Sequence, residues 1–152
     1  MFFKNMFISS LILFGTLACQ IMNLAYAQPT ATIESNTYKI NYSVFNSLFV
    51  PEDIARIHQL PRAKNRALVN ISVHDRDTNA SLPAQVRGSA KNLMQQLRQL
   101  EFQEMKEQDY QYYLANVRHT NEETMHFDIE VKPMGSDKWI PIKFPQKLYI
   151  EK

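Results

Sequence analysis

The chain of 152 residues has one cysteine, Cys19, and only three glycines. Each scarcity excludes something. Cys19 falls in the N-terminal leader described below, so the remainder carries neither a cysteine nucleophile nor a disulfide. Gly15, Gly88 and Gly135 are too far apart for a phosphate-cradling loop. The serines stand in no Gly-x-Ser-x-Gly elbow and no Ser-x-x-Lys arrangement, and no catalytic motif is found. Charge of one sign is also lacking. With 17 Lys+Arg against 15 Asp+Glu, there is no basic field of the kind that nucleic-acid binding requires.

One long apolar run is present, from Met6 to Leu17. It follows Lys4 and leads to Ala25-Tyr26-Ala27, the order of a secretory signal peptide. At roughly a dozen strongly apolar residues the run is short for a permanent membrane span. Cleavage is expected after Ala27, giving an exported, periplasmic protein with no transmembrane segment. A lipid anchor at Cys19 is the less favoured alternative, because Thr16 and Leu17 stand where a lipoprotein signal wants Leu and a small residue. Loss of Lys4 leaves 16 Lys+Arg against 15 Asp+Glu in residues 28–152. That length suits one domain with a single core, and a cysteine-free chain suits an oxidising compartment.

Residues 28–36 are polar and unpatterned, and read as a flexible entry to a domain over 37–152. Thereafter the dominant period is two. Tyr38, Ile40, Tyr42 and Val44 alternate with polar residues, as do Ala67, Val69, Ile71 and Val73. A weaker strand covers Leu82–Gly88, and Leu100–Lys106 and Gln111–Val117 are joined across Glu107-Gln108-Asp109. In Thr124–Val131 the set Met125, Phe127, Ile129, Val131 opposes Thr124, His126, Asp128, Glu130. Trp139–Phe144 and Lys147–Ile150 finish the chain, with Pro145 marking a bulge or an edge. Pro51–His58 reads as a short helix whose Ile54, Ile57 and His58 share one face, expected to cap an end of the core. Asn92–Leu97 reads as a helical turn capped by Asn92. The whole predicts an all-β, immunoglobulin-like antiparallel sandwich of about 7–8 strands with one or two short helical turns.

Candidate site residues are few. His126 and Asp128 project from one strand face, and His119, just before the Thr120-Asn121 turn, is the natural third member of a weak metal-site candidate. The ordinary reading of those residues is a solvated polar face, and no cofactor is expected. Tyr112 and Tyr113 point to opposite faces, so one of them is a candidate contact residue and the other a core residue. Lys64, Asn65 and Arg66 and the oppositely charged Asn121, Glu122 and Glu123 begin two strands. They either brace each other or form a recognition surface.

Several runs occur together: Tyr42-x-x-Phe45-Asn46-Ser47-x-Phe49, Lys64-Asn65-Arg66-Ala67-Leu68-Val69-Asn70, Gly88-x-Ala90-x-Asn92-Leu93, Leu100-Glu101-Phe102, Thr120-Asn121-Glu122-Glu123-Thr124 and Phe144-x-Gln146-Lys147-x-Tyr149. In this the chain resembles the bacterial family catalogued as domain of unknown function 4426, found with signal peptides in proteobacteria. The resemblance runs from about Tyr38 to Ile150 and implies a small secreted domain, with no established activity. Val50 before Pro51 departs from it, where a hydroxyl residue is expected. The function expected from the whole is a non-enzymatic, monomeric binding module of the bacterial envelope whose partner is another envelope protein; a small-ligand or metal-handling protein is the alternative.

Overall fold

The computed structural model describes residues 30–152; the expected leader and Cys19 lie outside them. Nine strands form two antiparallel sheets, as the period-two pattern predicts. They are β1 (Ala31–Glu34), β2 (Tyr38–Asn46), β3 (Arg66–Asp75), β4 (Ala84–Asn92), β5 (Leu97–Leu100), β6 (Gln103–Glu107), β7 (Tyr110–Arg118), β8 (Glu123–Pro133) and β9 (Ile140–Leu148). The larger sheet runs β1-β2-β3-β7-β6 and the smaller β5-β4-β8-β9. A short helix α1 (Glu52–Ile57) and a 3-10 turn (Ser47–Phe49) fill the β2–β3 connection.

The inward sets of the central strands make the core. Ile40, Val69, Ile71 and Val73 face Met125, Phe127, Ile129 and Val131 across the layers, all nearly or wholly buried. Burying such side chains supplies about 2 kcal/mol each, which is why alternation fixes which face turns inward. Phe144 ties the sheets together. Its ring stacks on Phe127 at 5.0 Å and meets Tyr42 of the opposite sheet at 4.7 Å. β3 is buried on both faces at one end, because Leu68 on its outer face is fully covered as well.

Five local expectations are revised. Residues 31–34, expected within a flexible entry, form β1 by pairing with Glu34↔Lys39 through Ala31↔Tyr42. Leu100–Lys106, expected as one strand, changes sheet between β5 and β6; continuous alternation does not record a change of neighbours. Trp139–Phe144 and Lys147–Ile150 merge into β9, whose ladder with β8 runs through Pro141 and Pro145. Alternate residues of a strand direct their N–H groups to opposite sides, and both prolines fall in one set on an edge strand, where no donor is needed. In α1 it is Ala55 that is buried, while Ile57 is exposed. Asn92–Leu97 is a hairpin loop rather than a helical turn. Gln95 takes φ 64°, which reverses the chain, and Asn92 Oδ1 accepts from Gln96 N at 3.0 Å.

The shortage of glycine shows in the turns. Gln59, Asn79, Gln95, Gln108 and Glu122 all adopt positive φ. Gln59 follows α1, and Leu60 N donates back to Ala55 O at 2.8 Å, the closure that a glycine normally serves. Gln108 opens the two-residue β6–β7 hairpin with φ 52°, at the position where a type II′ turn prefers glycine. Gln108→Gly is therefore expected to stabilise the protein by about 0.5–1 kcal/mol, relief of left-handed strain outweighing the entropy of the unfolded chain. Urea denaturation checks it; a lower midpoint would place the strain elsewhere.

Candidate functional site

One end of the sandwich gathers the β2–β3 connection, the β4–β5 hairpin, the β7–β8 turn and the residues after β9. Backbone and side chains fasten these together. Asn46 Nδ2 donates to Lys64 O at 2.8 Å, and its Oδ1 accepts from Leu48 N at 2.9 Å. Ser47 Oγ accepts from Ala63 N at 3.0 Å and donates to Ala63 O at 3.1 Å. The Lys64-Asn65 backbone then receives Glu151 N at 3.3 Å and His119 N at 3.0 Å. Asn121 Oδ1 accepts from Ile150 N at 3.1 Å.

A buried carboxylate anchors the other side. The Glu123 side chain is only 8% exposed, with Arg98 NH2 at 3.6 Å. It accepts from Asn92 Nδ2 at 2.8 Å, from Thr120 N at 2.6 Å and from Thr120 Oγ1 at 3.2 Å. Burial alone pushes a carboxyl pKa up; here the Asn92 and Thr120 donors and the Arg98 charge outweigh it, and the net direction is down. Arg98 also donates to Arg118 O, joining β5 to the end of β7.

On this frame sit large apolar side chains open to solvent. They are Phe49 and Ile57 from the β2–β3 connection, Leu93, Met94 and Leu97 from the β4–β5 hairpin, and Tyr149 and Ile150 after β9. The opposite end shows Tyr110 and Met134 alone among the described exposed large hydrophobics. The residue pattern carries this signal as Leu93-Met94, two apolar residues between Asn92 and Gln95-Gln96, which the reading as a helical turn leaves without a surface role.

The singled-out charges lie at the same end but do not pair with each other. Arg66 donates to Asn116 Oδ1, while Glu122 pairs with Lys147 Nζ at 2.9 Å. The two clusters are joined through backbone, by His119 N on Asn65 O, rather than by an ion pair. Tyr112 is half-buried on the outer face of β7, donating to Glu107 Oε1 at 3.0 Å; burial and that carboxylate raise its phenol to about 12. Tyr113 is a core residue, so it is no contact residue. Its hydroxyl accepts from Ala84 N at 2.7 Å across the layers, which is why an aromatic with a polar tip is placed there.

The metal candidates are not brought together. His119 is buried, with Nδ1 2.9 Å from Thr120 O, whereas His126 and Asp128 stand on the outer face of β8. Asp128 is held by Lys143 Nζ at 2.8 Å. Among the described residues no three His, Cys, Asp or Glu side chains form a group able to hold a metal.

Fold and site together define a small all-β sandwich with a braced, apolar loop end. The chain belongs to the DUF4426 family, described as a domain of unknown function, which its residues 33–151 match. A crystal structure of a DUF4426 family protein from Pseudomonas aeruginosa PAO1 is similar, with 26% identity over 81% of this chain and 97% of that one and a TM-score of 0.73. FetP of uropathogenic Escherichia coli strain F11, isolated after periplasmic expression, shares the fold at 14% identity, covering 84% of this chain and 99% of that one, with a TM-score of 0.61. A copper-bound variant of FetP covers 80% of this chain and 95% of that one at 12% identity and a TM-score of 0.59. No curated protein matches this chain in sequence. Among the described residues no helix is long and apolar enough to cross a membrane.

Proposed function

We propose that this chain is an exported, non-enzymatic binding module of the bacterial envelope that docks another envelope protein through its apolar loop end. The observation that carries this reading is the concentration of exposed Phe49, Leu93, Met94 and Leu97 on loops fixed by hydrogen bonds. Exposed apolar groups that serve no core are a liability unless a partner covers them, and a pre-ordered surface lowers the entropic cost of docking. The β9 edge, with Pro141, Pro145, Lys143 and Lys147, is poorly suited to strand addition. Periplasmic placement rests on the N-terminal residue pattern, and the fold shared with FetP is compatible with it.

The test is in-cell crosslinking of tagged protein exported by its own leader. A reproducible envelope protein is expected with the natural chain and is lost from the Leu93→Asp/Met94→Asp double variant. Both residues are about 70% exposed, so the variant's stability should stay within roughly 0.5 kcal/mol of the parent. Retention of the same crosslinked partner by a folded double variant would overturn the docking surface.

A second reading, metal handling, draws on the copper-bound state of the FetP variant. That likeness is one of fold, and His126 and Asp128 are the residues of this chain left to serve it. A ligand present at about 100 times its Kd adds roughly 2.7 kcal/mol, several degrees in Tm for a domain of this size. We expect copper and zinc to shift Tm by less than about 1 °C. A larger shift abolished by His126→Ala would favour the metal reading.

A further inference from the structure

We propose that the cleft beside Arg66 is a binding site for a small zwitterion, an α-amino acid or short peptide with a free carboxylate and a free ammonium group. The cleft has a volume of about 350 Å³ and lies between the end of the β2–β3 connection and the β5–β6 crossover. Arg66 and Glu101, which both line it, belong to two runs the sequence singles out, Lys64-Asn65-Arg66-Ala67 and Leu100-Glu101-Phe102.

The Arg66 guanidinium carries five donors in a planar fork suited to a carboxylate. Asn116 Oδ1 takes one of them and orients the group, and Asn116 Nδ2 is in turn held by Pro61 O at 3.5 Å. No carboxylate among the described residues lies within 4.0 Å of Arg66, so the fork's charge is unmatched. Glu101 lines the same cleft and makes no ion pair or hydrogen bond among the described residues. Two opposite charges thus share one concavity without closing on each other. That is the complement of a ligand bearing both signs. Gln99 and Gln103 project from the crossover between them and offer both donors and acceptors, which suits a peptide group. Leu60 and Leu114 supply the apolar wall against which a side chain would rest. The site uses none of the exposed loop tips, so it is independent of the docking surface.

Titration of isotope-labelled protein with glycyl-L-leucine, and separately with free L-leucine, followed by NMR, tests this. Saturable shifts are expected at amides of residues 59, 60, 66, 99–103 and 114–116 for at least one of the two, which decides between a peptide and an amino acid. N-acetyl-glycyl-L-leucine and glycyl-L-leucinamide, each lacking one charge, are expected to bind at least about tenfold more weakly, as is glycyl-L-leucine to Glu101→Gln and Arg66→Gln. Glu101 is exposed and unpaired, so its variant keeps the fold even if Arg66→Gln does not. Leu93→Asp/Met94→Asp should bind the dipeptide normally, which separates failure here from failure of docking. Absence of saturable shifts with both ligands, or equal affinity for the N-acetyl form, overturns the assignment.

Discussion

Gly88→Ala is expected to destabilise the protein by about 3 kcal/mol, although alanine normally suits a strand better than glycine. Gly88 belongs to the inward set of β4, opposite Ile129 of β8. A Cβ there would lie 2.7 Å from Asp128 O and 2.9 Å from Ile129 Cα. Both are backbone atoms of a strand held on its other side by β9, so neither can yield as a flexible side chain would. Overpacking against fixed backbone outweighs the propensity gain, and the sign of the change decides between the two effects. Gly135→Ala provides the contrast. Its Cβ would meet nothing within 4 Å, but φ +84° makes any side chain strained, so a loss of only about 1 kcal/mol is expected. Urea denaturation of both variants tests the pair. A neutral Gly88→Ala would mean that β4 and β8 separate more readily than their ladder implies.

Glu123→Gln is expected to lose about 2 kcal/mol near pH 7, and to lose progressively less as the solution is acidified. The sign follows from the direction of the shift. Burial opposes ionisation, but the donors from Asn92 and Thr120 and the charge of Arg98 overcome it, holding the folded-state pKa below the ordinary carboxyl range. A carboxyl with a depressed folded value contributes its full stability above the unfolded pKa. That contribution fades as pH falls through the folded one. The parent and the variant should therefore converge in acid. Denaturation midpoints measured from pH 7 down to about pH 3 test this, and a gap that stays constant with pH would assign the loss to packing instead.

The sandwich is legible wherever one face of a strand is apolar and the other polar. Met125, Phe127, Ile129 and Val131 announce β8 because burial selects every second residue. Pro145 announces an edge for the equally local reason that it lacks a donor. What the residues do not announce is pairing. Gln99, Glu101 and Gln103 alternate without a break while the strand exchanges one sheet for the other. Gln95 and Gln59 give no hint of positive φ, since glutamine has no preference for it. The candidate site divides in the same way. Arg66 and Glu122 are visible as a charged set, but their partners Asn116 and Lys147 are chosen by register across strands. Glu123 is the clearest case: an acidic residue within a polar run becomes nearly buried because the β4–β5 hairpin and the β7–β8 turn converge on it.

The strand that passes from β5 to β6 leaves only Glu101 and Phe102 between the sheets. Neither layer can peel away while the other stays intact, because both hold the same short piece of chain. Heat and denaturant should therefore meet one cooperative unit, with a single transition by every probe. Assembly carries the corresponding cost in time. Val69 must find Ala115 and Ala90 must find Phe127 across long stretches of sequence before the crossover can be locked. Such distant pairings place folding in the range of milliseconds to seconds. The chain thus spends an appreciable interval with unpaired strand edges, during which its prolines and lysines on β9 protect it from its neighbours.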